Sequence, residues 1–229
     1  MSGDGALQVL VVCAANQCRS RAAEVLLGGA LADVAGVAIS SAGVLVEAPL
    51  PMCAKAERFV MHHGSDPAGV SRRPARMASP HLLADADLIL VADRSVRAGV
   101  VALDPTARPK TFSLRGAGAA AQYVIDHDLV TRARKAHAAG ERSVAEMVDG
   151  EEVVVCLALG SGTSEATAWL RAELEVAQGH AAPRGGHDIA DAHTSLRARH
   201  SQTLTEVLDA TRSLSQLLRT LHESATTLT

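Results

Sequence analysis

The sequence predicts an α/β fold in which a parallel sheet is doubly wound, with helices on both faces. Three observations carry this reading. A hydrophobic run, Gln8-Val9-Leu10-Val11-Val12, has strand character and ends directly in the loop Cys13-Ala14-Ala15-Asn16-Gln17-Cys18-Arg19-Ser20, after which a helical pattern begins. A second run, Asp87-Leu88-Ile89-Leu90-Val91-Ala92, is apolar on both faces, as expected of a strand buried in a parallel sheet. Strand-like and helical segments alternate through the first half of the chain, the pattern of a doubly wound sheet.

Taken in order, residues 20 to about 35 read as a helix with Leu26, Leu27, Ala30, Leu31 and Val34 toward the core, weakened by the pair Gly28-Gly29. Residues 37–41 read as a second strand ended by Ala42-Gly43, and 53–63 as a helix stopped at Gly64. The stretch 66–79, with prolines and several arginines, is loop, and Pro80 opens a helical turn to 84. After the third strand at 87–92, residues 95–103 make a short helix that stops before Asp104-Pro105, and 110–114 a fourth short strand. From about 116 to 186 the rhythm breaks. Residues 117–139 are Ala-rich and helical in character; 151–159 is ambiguous between strand and helix, because Val153-Val154-Val155 lies in an Ala/Leu context. Gly160-Ser161-Gly162 is a flexible joint, 164–178 a helix with Trp169, Leu170 and Leu174 inward, and 181–186 a loop. Leu204, Val207, Leu208, Thr211, Leu214, Leu217, Leu218 and Leu221 recur at helical spacing, so about 203–222 is an amphipathic helix packed on the sheet, with Thr203-x-x-Glu206 as a capping box. The chain therefore reads as a single domain, 1–229, with a mainly helical elaboration at about 116–186.

Composition narrows the functional classes. A length of 229 residues suits one domain or one domain with an insertion, and 48% hydrophobic against 21% charged content supports a real core. A net charge of −3 without a basic block disfavours a nucleic-acid partner. The longest apolar candidate, 153–159, is far too short for a membrane span, so no membrane partner is expected. The N-terminus lacks the basic and apolar regions of a signal peptide, and Cys13, Cys18, Cys53 and Cys156 fall in neither Cys-x-x-Cys nor zinc spacing. A reducing, cytoplasmic setting is the expectation. No cofactor and no metal are expected: His62-His63, His187, His193 and His200 read as exposed polar side chains, and the ligands that would complete a site are not evident. His193 is a candidate for shaping a site entrance.

The chemistry concentrates in the first loop. Backbone N–H groups of a tight turn followed by a helix N-terminus converge on one point and favour an anion there. The guanidinium of Arg19 can grip two oxygens of a phosphate at once. The same positive field favours the thiolate of Cys13, to which Ser20 can donate a hydrogen bond while also capping the helix. This arrangement suits attack by Cys13 on a phosphoryl group, giving a phosphocysteine. Cys13 and Cys18 share one small loop, so a reversible disulfide between them is conceivable; packing within the loop is an equal reading for Cys18.

Cys13 to Ser20 resemble the signature of the low-molecular-weight protein tyrosine phosphatases, Cys-x-x-Asn-x-Cys-Arg-Ser directly after the first strand. Glu24, Ser40-Ser41-Ala42-Gly43, Asp87-Leu88-Ile89-Leu90 with Asp93-Arg94-Ser95, and His187-Asp188-Ile189-Ala190-Asp191-Ala192 resemble further family segments in the right order. The similarity covers roughly 8–115 and 186–222. It implies a four-stranded parallel sheet and metal-free hydrolysis of phosphomonoesters, with a phosphorylated protein or small aryl phosphate as substrate and phosphate or another oxyanion in the loop. By the same resemblance Cys13 is the nucleophile and Arg19 binds phosphate and stabilises the transition state. Asp191 protonates the leaving oxygen and then activates water. Asn16 holds the loop, Ser41 supports it, and N–H groups from Ala14, Ala15, Asn16, Gln17 and Cys18 to Arg19 supply the other donors.

Four departures matter. Ala15 stands where the family usually has Gly, which costs about 1–2 kcal/mol if a left-handed backbone is needed there. Arg21 replaces a common Pro, a change expected to be harmless, and Ala192 replaces the Pro after the acid. Neither Ala192-His193-Thr194-Ser195 nor residues 41–46 offer an aromatic side chain, so selectivity for phosphotyrosine should be weak. Asp188 and Asp104 are rival acids, though Asp104-Pro105 also reads as a plain turn. Two alternative functions stand beside the phosphatase. One is a catalytically impaired phosphate- or partner-binding module, suggested by these departures. The other is an arsenate reductase, which needs two further cysteines near Cys13, whereas Cys53 and Cys156 are far apart in sequence.

Overall fold

The alternation of strands and helices produces the expected sheet. In this computed structural model, which describes residues 6–141, 143–148, 151–157, 159, 163–180, 186–194 and 198–226, the chain runs β1 (Leu7–Cys13), α1 (Arg19–Ala30), β2 (Val37–Gly43), α2 (Ala54–His62), α3 (Ala68–Ser71), α4 (Pro80–Asp85), β3 (Leu88–Val91) and α5 (Arg94–Leu103). A 3-10 turn (Pro105–Lys110) then leads to β4 (Thr111–Ser113), α6 (Leu114–Asp126), α7 (Leu129–Ala138), β5 (Ser143–Val148), β6 (Glu151–Leu157), α8 (Thr163–His180) and α9 (His200–Thr226). β1 to β4 form one parallel sheet in the order β2-β1-β3-β4. β1 has β2 on one side and β3 on the other, so the winding direction reverses at β1. The crevice of such a sheet opens at the carboxyl end of that strand, which is where Cys13 lies.

Period-two alternation divides the sheet between two cores. Val9, Val11, Leu88 and Leu90 face a large cluster that includes Leu27 of α1, Val60 of α2, Leu114 of α6, Trp169 of α8 and Leu217 of α9. Leu10, Val12, Ile89 and Val91 face a smaller one made with Leu83 of α4, Val96 and Val100 of α5, and Ala107. α6 and α9 touch backbone to backbone: a Cβ on Gly118 would stand 2.5 Å from the Cα of Ala210, so only glycine fits. An apolar cleft of about 320 Å³ beside Leu7, Val37, Leu170 and Leu218 lies at the opposite end of the strands from Cys13. Among the described residues no helix is long and apolar enough to cross a membrane.

Several elements differ from the sequence reading. α1 ends at Ala30, which is exposed, although Leu31 and Val34 are buried beyond it. α3 interrupts the loop at 66–79. The Ala-rich stretch is two helices, broken at His127-Asp128, where Asp128 takes the left-handed conformation (φ 54°). Of the ambiguous stretch, 151–157 is strand, and this β6 pairs antiparallel with β5, which the sequence reading did not contain; among the described residues the other regular elements of the elaboration are helices. The sequence between the two strands, Asp149-Gly150, is a strong hairpin signal that would have pointed to it. α9 starts at His200, three residues before the expected capping box, and the Thr203 hydroxyl instead donates to the carbonyl of Ala190 (3.0 Å). The joint Gly160-Ser161-Gly162 and the loop at 181–185 lie outside the described residues.

Candidate active site

β1 carries Cys13 to the end of the sheet, and β2 holds the chain that follows. The carbonyls of Cys13 and Ala14 accept hydrogen bonds from Val44 (3.1 Å) and Leu45 (2.9 Å). The loop then turns through Asn16 at φ 52°, a left-handed conformation that Asn adopts more readily than other side chains. Ala15 is not among the residues with positive φ, so its methyl group carries no such penalty. The Asn16 amide is fully engaged: Nδ2 donates to Ser20 Oγ (3.0 Å) and Ser41 Oγ (2.8 Å), and Oδ1 accepts from the Arg76 backbone (2.9 Å). Because Ser20 Oγ accepts from Asn16, its own proton is free for Cys13 Sγ at 3.0 Å. Ser41 in turn donates to Glu24 Oε2 (2.6 Å), and the other Glu24 oxygen pairs with Arg73.

Ser20 does not cap α1. The helix starts at Arg19 with Cys18 at the N-cap, and the N-cap side chain leaves the first amides uncapped. Those donors are left for an anion, as a phosphate cradle requires. Arg21, expected to be harmless, is buried and donates to the carbonyls of Val70 (3.0 Å), Arg73 (2.5 Å) and Pro74 (2.6 Å). It thereby anchors the segment from which Arg73 and Arg76 brace Glu24, Ser41 and Asn16.

Arg19 is buried and held by three groups. Nη1 donates to Asp93 Oδ2 (2.7 Å) and the Ile189 carbonyl (2.8 Å), and Nη2 to Asp191 Oδ2 (2.6 Å). Burial opposes its charge, but Cys13, Asp191 and Asp93 outweigh burial and leave its pKa above the ordinary value. Asp93 escaped the sequence reading as a site residue. It caps α5 through Oδ1, accepting from Ser95 (3.0 Å) and Val96 (2.9 Å), and reaches Arg19 through Oδ2. Burial works against its charge, yet the Ser95 hydroxyl, the Val96 amide and Arg19 hold its carboxyl below the usual range. Its place just after β3, at a carboxyl strand end, was the signal that could have found it.

A cavity of about 270 Å³ brings the loop and the late acid together: Cys13, Ala14, Ala15, Gln17, Cys18 and Arg19 with Asp191, His193 and Thr194, and Leu45, Glu47, Ala48 and Leu50. None of these lining residues is a phenylalanine, tyrosine or tryptophan. The rival acids are elsewhere engaged. Asp188 binds the backbone amide (3.0 Å) and Nε (2.6 Å) of Arg94, and Asp104 caps the 3-10 turn through Thr106 (2.9 Å). The free thiol of Cys18 sits beside that of Cys53, the N-cap of α2. Hydrogen bonding between them, with burial, pushes the Cys18 thiol up, while the same bond and the amides of Lys55 and Ala56 pull Cys53 down to about 4. His193 and His200 complete this group, so four residues from distant parts of the sequence gather donor atoms that sequence spacing did not reveal.

Comparison with known proteins covers the same region. The family model for low molecular weight phosphotyrosine protein phosphatase matches residues 8–122. "Probable low molecular weight protein-tyrosine-phosphatase EpsP" of Ralstonia nicotianae is 34% identical over 106 residues, 46% of this chain and 69% of that protein. Among solved structures, the tyrosine phosphatase Wzb of Escherichia coli K30 in complex with sulphate aligns over 93% of this chain and 98% of its own with a TM-score of 0.55 and 17% identity. Vibrio vulnificus Wzb in complex with benzylphosphonate aligns over 93% and 99% with a TM-score of 0.53 and 16% identity. At these identities the structural matches speak for the fold.

Proposed function

The chain belongs to the low molecular weight phosphotyrosine protein phosphatase family, and we propose that it hydrolyses phosphomonoesters, phosphotyrosine in proteins among them, through a phosphocysteine on Cys13. That it is a phosphatase follows from the family; the substrate and the residue roles are the proposal. The observation that carries it is the meeting of Cys13, Arg19 and Asp191 in one cavity, with the Ser20 hydroxyl 3.0 Å from the sulfur.

Phosphate enters the cradle formed by the amides from Ala14 to Arg19 and takes over Arg19 Nη2 from Asp191. Asp93 keeps Nη1 oriented throughout. Cys13 Sγ attacks phosphorus in line with the leaving oxygen, which takes its proton from Asp191. Charge spread over the equatorial oxygens is met by Arg19 and the amides, donors already in place before the reaction. In the second step the Asp191 carboxylate takes a proton from water, which attacks the phosphocysteine. The sulfur leaves as thiolate, stabilised by Ser20. That the two Wzb proteins are solved in complex with sulphate and with benzylphosphonate supports an oxyanion ligand for a protein of this fold.

Turnover of p-nitrophenyl phosphate in reductant, compared across variants, tests the assignment. Cys13→Ser should abolish hydrolysis while phosphate or vanadate still binds. Asp191→Asn should lower kcat by 10²-fold or more, and Asp188→Asn and Asp104→Asn should leave it near wild type. If Asp191→Asn retains kcat and Asp188→Asn loses it, the acid has been misassigned.

A further inference from the structure

We propose that Cys18, Cys53, His193 and His200 form a binding site for one zinc-like divalent cation, and that this cation clasps the turn carrying Asp191 onto the phosphate loop. The four donor atoms lie within 4.8 Å of one another. Two thiolates and two imidazoles are the donor set of tetrahedral zinc sites, and soft sulfur excludes magnesium and calcium as natural occupants. The two ring nitrogens, His193 Nε2 and His200 Nε2, stand 3.2 Å apart. A tetrahedral ion with metal–nitrogen bonds of about 2.0–2.1 Å places two such nitrogens roughly 3.3 Å apart. Pairs that include sulfur, with bonds of about 2.3 Å, want roughly 3.5–3.8 Å. The longest separation therefore has to shorten by roughly 1 Å, within the reach of side-chain rotation.

The ligands join four separate places. Cys18 is the N-cap of α1 and lines the floor of the cavity, and Cys53 is the N-cap of α2, with its amide donating to the Gln17 carbonyl (2.8 Å). His193 follows the acid by two residues and its amide donates to Asp191 Oδ1 (2.9 Å); His200 is the first residue of α9. A cation on all four would tie the acid turn and the start of α9 to the loop beside Cys13. It makes no use of the Cys13 sulfur, so the site is separate from the nucleophile.

Metal-stripped protein held in reductant is titrated anaerobically with Co²⁺. One equivalent should bind at micromolar concentration, with the sulfur-to-cobalt charge-transfer absorption of a tetrahedral thiolate site, and one equivalent of Zn²⁺ should displace it. Cys53→Ser and His200→Gln should each weaken Co²⁺ binding at least tenfold, whereas the double variant His62→Ala/His63→Ala should bind as wild type. Circular dichroism checks folding; if Cys53→Ser does not fold, His200→Gln decides. Zn²⁺ should also slow amide hydrogen exchange in residues 191–194 of the wild type and not of His200→Gln. Failure of the wild type to bind, Co²⁺ bound without sulfur charge transfer, or affinity unchanged in both ligand variants overturns the site. Binding without protection of 191–194 overturns the clasp.

Discussion

Gly43→Ala is expected to disable the site through a single methyl group. Gly43 pairs with Cys13 in the sheet, and a Cβ there would stand 2.4 Å from the Ala14 carbonyl oxygen, 2.8 Å from the Asn16 nitrogen and 2.9 Å from Val46 Cγ2. Two of these are backbone atoms of the phosphate loop and cannot rotate away. Ordinary contact needs about 3.5 Å, so the loop must retreat by roughly 1 Å. Overpacking of this kind costs about 1–3 kcal/mol of stability, and a 1 Å misplacement of reacting groups costs on the order of 10²-fold in rate. The assay is kcat/KM for p-nitrophenyl phosphate beside urea unfolding. Gly118→Ala is the control: its Cβ would collide with Ala210 between α6 and α9, away from the loop. It should lose comparable stability and keep the kcat/KM of the folded protein. Gly43→Ala within threefold of wild type would refute the claim that the sheet positions the loop by contact.

Three further outcomes follow from the same geometry. Asp93→Asn keeps a good N-cap for α5 but loses the ion pair with Arg19, so kcat/KM should fall; and because a carboxyl held low in the fold stabilises it above the unfolded value of about 3.9 and ceases to do so as the pH drops through the folded value, the Tm gap to wild type should be widest near pH 6 and close below about pH 4, a pH-independent gap counting against it. Arg21→Ala should cost on the order of 2–4 kcal/mol in urea unfolding, since three carbonyls lose a charged donor; a loss under 1 kcal/mol would show that the 70–74 segment holds itself. With no phenylalanine, tyrosine or tryptophan lining the cavity, the preference for aryl over alkyl phosphates in kcat/KM should stay below tenfold, and a larger ratio would point to an aromatic wall supplied by movement.

The fold and the loop were legible because their determinants are local. Cys13, Asn16, Arg19 and Ser20 fall within eight residues, and the strand before them fixes where they point. The alternation of Leu10 and Val12 with Val9 and Val11 likewise announces a sheet covered on both faces. What escaped depends on pairs far apart in the chain. Asp93 reads only as part of the segment after the third strand until Arg19, 74 residues away, is placed beside it. Arg21 reads as a harmless replacement of a common Pro until three carbonyls from 70–74 close around it. Thr203 reads as the start of a capping box until the carbonyl of Ala190, outside the helix, takes its hydroxyl. Cys18, Cys53, His193 and His200 have no common spacing, so only the folded chain brings them together.

The two faces of the sheet are covered unequally, and the site straddles the difference. Local opening costs least where buried apolar contact is sparse. The large cluster on one face holds α1, and with it the start of the helix that completes the phosphate cradle. The small cluster on the other face holds α5, whose N-cap Asp93 orients Arg19 and whose Arg94 binds Asp188 beside the acid turn. A phosphate in the proposed cradle would therefore lie between a stiff jaw and a compliant one. On the proposed mechanism, the fluctuations that admit substrate and release product are expected on the α4–α5 side, where the apolar layer is thinner.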